Sequence, residues 1–192
     1  MTPSMAYIDE SIRSASGLYV FGAVCIETFR EDPIRQALTS ALPRGRRRFH
    51  WRLDSRDQRL LALRLTVALP TTLVVIYQGG IDPKRAERHR QHLLWNLVAD
   101  LDRAFGVHDL VFESREASQN AKDAKTLQNI SRAGLGGPHF RHSFARPLDE
   151  PLLWLADTGA GACGFAIANQ GVELSGLCDR YSIAVIEVPP LP

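Results

Sequence analysis

Lysine is nearly missing from this chain. Lys84, Lys122 and Lys125 are the only three, and every other cationic side chain is arginine, histidine aside. Cysteine is scarce too. Cys25, Cys163 and Cys178 fit no metal-binding spacing, and three thiols cannot all pair with one another. Cys25 and Cys163 sit in apolar runs and read as small buried hydrophobes, which suits a reducing compartment. Long apolar runs are also lacking. The best candidate, 151–168, falls short of the roughly 20 residues a membrane span needs and carries Asp157. Residues 1–10 show neither the basic nor the long apolar part of a secretory leader. The expectation is a cytoplasmic protein with no membrane partner. Walker, GxSxG, Rossmann GxGxxG and HExxH signatures are all missing, and no paired Cys/His spacing suggests zinc.

What remains is an ordinary globular composition. Of 192 residues, 45% are hydrophobic and 23% charged, enough for one core and short for two. The expectation is a single domain over 1–192. A net charge of +2 is too small to argue for nucleic acid by itself. Arginine does suit bidentate phosphate binding, although GC-rich coding bias produces the same preference. The local run Arg44, Arg46, Arg47 and Arg48 stands beside Phe49, His50 and Trp51. Such a run either grips a phosphate backbone or forms a solvated turn.

Hydrophobic patterning divides the chain into strands and helices. Strands are expected at 6–10, 18–28, 72–77 and 109–113 in one mixed sheet, the first two antiparallel across a turn at 14–17. Further strands are expected at 48–53, 139–144 and 181–188. Asp32-Pro33 opens a helix with Ile34, Leu38 and Leu42 on its period, and Asp54-Ser55 caps another. The longest helix spans 83–105, with His89 and His92 outward and Gly106 as its cap. A more polar helix covers 118–132, and a core helix 151–168. The whole reads as α/β, a central sheet covered by helices.

Three acids stand out against apolar surroundings. Asp9 and Glu10 end the first strand. Adjacent strand residues point to opposite faces, so only one of them can serve a given site, and Asp9 is the choice. Glu113 ends the strand 109–113, either as a ligand or as an ion-pair partner for an arginine such as Arg115. Asp157 interrupts an otherwise apolar helix. A buried carboxylate needs a cation, a metal or several donors, so Asp157 marks a site, a structural pair with an arginine, or a solvent-facing stripe of the helix. Ala160, Gly161 and Gly164 keep that helix slim enough to approach a sheet. Asp123 is a secondary candidate, or a surface charge beside Lys122.

Tyr7-Ile8-Asp9-Glu10-Ser11 and the hairpin strand after it resemble the opening of the bacterial "domain of unknown function 3800" proteins. Leu155-Ala156-Asp157, followed by Gly159-Ala160-Gly161-Ala162, resembles their closing helix. Ile12 stands where that family usually has glycine, and the middle acid, Glu113, is more commonly aspartate. The resemblance implies a ribonuclease H-like mixed central sheet flanked by helices. It also implies a two-metal carboxylate site for Mg2+ or Mn2+, held by Asp9, Glu113 and Asp157, with Glu10 and Asp123 in reserve. The implied activity is metal-dependent hydrolysis or transfer of phosphodiesters in DNA or RNA. Arg44, Arg46, Arg47, Arg48 and His50 are then candidates for nucleic-acid contacts. Two alternatives stay open. One is a catalytically inactive nucleic-acid-binding or protein-interaction module of the same fold, and the other is a small-molecule phosphohydrolase.

Overall fold

The computed structural model describes residues 4–169 and 182–190. Six strands form one sheet: β1 Ser4–Arg13, β2 Leu18–Glu27, β3 Thr72–Gln78, β4 Asp109–Glu113, β5 Arg141–Ala145 and β6 Ile183–Glu187. Their order across the sheet is β5-β4-β1-β2-β3-β6. Among the described residues the α-helices are α1 Glu31–Ser40, α2 Arg56–Ala68, α3 Ala86–Phe105, α4 Ala117–Arg132 and α5 Leu153–Ala168. The β1–β2 pair is antiparallel across a short turn, and β2–β3 is antiparallel although α1 and α2 lie between its strands; β1–β4, β4–β5 and β3–β6 are parallel.

The sheet is covered on both faces, which is why β2 and β3 are continuously apolar rather than alternating. On one face Leu93, Leu94, Leu97, Val98 and Leu101 of α3 pack with Leu127 and Ile130 of α4 against Ala6, Ile8, Phe21 and Ile76. On the other face Ile34 and Leu38 of α1, Ala62 of α2 and the apolar length of α5 pack against Tyr7, Val20, Val24 and Val75. Gly106 closes α3 in the left-handed conformation, with φ 60°. Ser55 caps α2 in a reciprocal capping box with Gln58.

Two sequence expectations need correction. Residues 48–53 are not a strand: 48–50 are irregular and 51–53 form a turn. Their backbone donors are taken by carboxylates and local turns: His50 N–H by Asp54, Trp51 N–H by Asp157, and Leu53 and Asp54 N–H by His50 C=O. His89 is buried rather than outward; its Nδ1 lies 2.9 Å from Gln78 Oε1, while its Nε2 accepts from Asp82 N–H. The described part of the last expected strand is β6; Tyr181 and Cys178 lie outside the described residues. Among the described residues no helix is long and apolar enough to cross a membrane.

Candidate active site

Sheet register brings the first two acids side by side. The parallel pairing of β1 with β4 sets Ile8 opposite Phe112, and one further step sets Asp9 beside Glu113. Alternation carries both to the face covered by α5, since Tyr7 and Val111, two residues back on each strand, belong to that core. The third acid, Asp157, arrives on α5. This helix comes down closely because Gly22, paired with Asp9 across β1–β2, offers no side chain. A Cβ on Gly22 would lie 2.6 Å from Ala156 O and 2.8 Å from Ala160 N.

Asp9, Glu113 and Asp157 line one cavity of about 230 Å3, with His50 on one wall and Glu10, Arg90, Ser114 and Arg115 on another. Burial pushes the Asp9 carboxyl well above its usual 3.8, and the charges of Glu113 and Asp157 push it further in the same direction. Glu10 N–H donates to Asp9 Oδ1 at 2.7 Å and fixes its orientation. Asp157 Oδ2 accepts from Trp51 N–H at 2.8 Å and lies 3.4 Å from His50 Nδ1, which itself forms no hydrogen bond. Arg48 reaches to 4.0 Å from Glu113.

The donor set suits a hard divalent ion: three carboxylates, from three elements, facing one cavity. Their present spacing is looser than a closed ligand shell. Among the described residues no three acid, histidine or cysteine side chains are grouped tightly enough to hold a metal as they stand.

Glu10 and Asp123 are engaged elsewhere. Both Asp123 oxygens accept from Arg90, at 2.8 Å each, in a pair buried beneath α3 and α4. Arg90 also pairs with Glu10, while Tyr19 O–H donates to Glu10 at 2.9 Å. Arg115 completes the network through Glu87 and Asp123. Burial pulls the Arg90 pKa down, and its hydrogen bond to Asp123 opposes that pull. Asp123 is therefore an arginine partner outside the cavity, and Glu10 a wall residue held by arginines.

The arginine run is divided by its contacts. Arg44, Arg46 and Arg47 are exposed, and Arg46 pairs with the buried Asp54, which ties the loop down. Arg48 and His50 lie at the acids. Trp51 was legible only as an aromatic beside the run. Its backbone in fact sets Asp157, and its ring packs on Gly161, where a Cβ would be 2.2 Å from Trp51 Cγ. Arg90 gave no signal in the sequence beyond its place on a long helix.

No family model matches the chain, and no curated protein matches it. Among solved structures, RNase HII in the PCNA:RNase HII complex from Archaeoglobus fulgidus is similar over 90% of this chain and 77% of that one. The TM-score is 0.54 and the identity 14%. At that identity the likeness is one of fold, and the chain has a ribonuclease H-like mixed sheet flanked by helices.

Proposed function

We propose that this chain is a divalent-metal-dependent nuclease of the "domain of unknown function 3800" kind, with Asp9, Glu113 and Asp157 as its Mg2+ or Mn2+ ligands. One observation carries the reading: three carboxylates from β1, β4 and α5 line a single cavity, where burial first, and then the charges of Glu113 and Asp157, raise the pKa of Asp9. Groups far apart in sequence have been brought together at an electrostatic cost, and that cost is offset when a cation binds. Asp9 is oriented by Glu10 N–H, and Asp157 by Trp51 N–H. A divalent ion bound there would supply an activated water and stabilise charge on the phosphodiester. Arg48 and His50 contribute phosphate contacts beside the acids, and Arg44, Arg46 and Arg47, exposed on the same loop, extend that cationic surface, so the partner is DNA or RNA.

A second reading, a non-catalytic binding module, is favoured by one fact. Asp157 already has a donor in Trp51 N–H and a neighbour in His50 without any metal. Cleavage assays on single-stranded, duplex and hybrid substrates with Mn2+ separate the two. The nuclease reading expects cleavage that falls about a hundredfold or more in Asp9→Ala. Equal activity in parent and variant removes the reading; binding without cleavage turns the balance to the module.

A further inference from the structure

Four residues beyond Asp157 on α5, about 6 Å along the helix, lies Gly161. Two arginines meet around it. Arg13, at the end of β1, donates from NH2 to Gly161 O at 2.9 Å. Arg59, on α2, donates from Nε to Trp51 O at 2.6 Å and stacks over the Trp51 ring at 5.4 Å. Among the described residues neither has a carboxylate partner, in contrast to Arg35, Arg46, Arg90 and Arg115, which all do. The Arg59 charge adds to burial in lowering the Arg13 pKa, so the two cations stand close enough to repel. Arg13 Nε is buried and has no hydrogen-bond acceptor. A further turn along α5, Phe165 is 55% exposed beside Arg13, whose guanidinium lies 5.7 Å from the ring centroid.

An arginine pair without a carboxylate partner among the described residues is complementary to one anion. Exposed aromatic rings beside a cationic track are what bases stack on in sequence-tolerant single-strand binding. The row 157, 161, 165 follows one face of α5 outward from the acid cavity. We propose that Arg13 and Arg59 form a phosphate subsite, and Phe165 a base platform, for a single strand of nucleic acid leading away from the acid cavity. The spacing from Asp157 suits the phosphate next to the one at the acids. The inference rests on the nuclease reading only for the identity of that neighbouring phosphate; strand binding itself needs no cleavage.

The test uses the full chain in chelator, so that nothing is cut, with a labelled oligothymidylate and an abasic strand of equal length. The double variant Arg13→Gln/Arg59→Gln should bind both strands more weakly, and its log–log salt slope should be shallower by about 0.7, the share of one single-strand phosphate. Phe165→Ala removes an exposed ring and leaves the core intact. It should weaken oligothymidylate binding about tenfold, with an unchanged salt slope and unchanged binding of the abasic strand. Parent-like affinity and slope in the double variant overturn the phosphate subsite. Parent-like oligothymidylate binding in Phe165→Ala overturns the platform, whether or not the double variant folds. A parent that binds neither strand overturns both. Failure of the nuclease reading would look different: Mn2+ would bring no cleavage while these binding differences persisted.

Discussion

Gly22 and Asp9 face each other across the first hairpin, and each explains the other's setting. Without a Cβ, Gly22 admits the α5 backbone, and that approach delivers Asp157 to the place where Asp9, inside β1 and not at its end as the sequence suggested, lies beside Glu113 at the end of β4. The sequence displayed half of this contact. The small residues of α5 were visible as a slim face, but nothing local marks Gly22, one small residue in a hydrophobic strand, as its counterpart. Gly22→Ala presses a methyl group on backbone atoms that cannot rotate away. It should lower stability by about 1–3 kcal/mol in urea unfolding and move Asp157 outward; a parent-like unfolding curve would contradict the packing. Asp9 makes a pH-dependent contribution of known sign. Its folded-state pKa lies above the 3.8 of an ordinary aspartate. That stabilisation is fully present below the unfolded value and is lost as pH rises through the folded one. In chelator, Asp9→Asn should therefore melt above the parent at neutral pH, with the gap closing in acid. A gap independent of pH would mean that neither burial nor the neighbouring carboxylates raise the Asp9 pKa.

At the scale of elements, the loop between α1 and α2 departs most from the sequence reading. The alternation of Arg48, Phe49, His50, Trp51, Arg52 and Leu53 has strand character, and β-propensity was the only signal available. Long-range carboxylates override it. Asp54, buried and joined to Arg46 and His50 N–H, clamps one end, and Asp157 holds Trp51 N–H from 106 residues away. Phe49 meanwhile packs edge-on against Trp154 at 6.1 Å. Of the Asp54-Ser55 pair expected to cap α2, Ser55 is the cap and Asp54 serves the loop. Asp54→Ala leaves the His50 N–H without its acceptor and should cost about 1–3 kcal/mol. Trypsin should then cut the Arg44–Arg48 run faster than in the parent. An unchanged digestion pattern would show that the loop is held by its aromatic residues alone.

Across the whole molecule, hydrophobic pattern was a sound guide. Runs at 6–10, 18–28, 72–77 and 109–113 fall on the central strands β1 to β4, and apolar period located α1 to α5. The pairing of Asp9 with Glu113 follows from a parallel register between strands about a hundred residues apart, which no local pattern encodes. The Arg90–Asp123 pair illustrates the same limit: a buried acid on α4 read as a possible ligand, yet its partner on α3 takes both oxygens. Burial alone therefore does not mark a metal ligand; what separates Asp9, Glu113 and Asp157 from Asp123 is a shared cavity in which they crowd one another. The most direct test of that distinction is a thermal melt of the parent and of Asp157→Asn, each in chelator and in millimolar Mn2+. An ion that binds the folded site and scarcely the unfolded chain raises the melting temperature by mass action. The account predicts a rise with Mn2+ in the parent and its loss in Asp157→Asn. A parent that melts at the same temperature with Mn2+ as with chelator would contradict the metal site at the centre of this account.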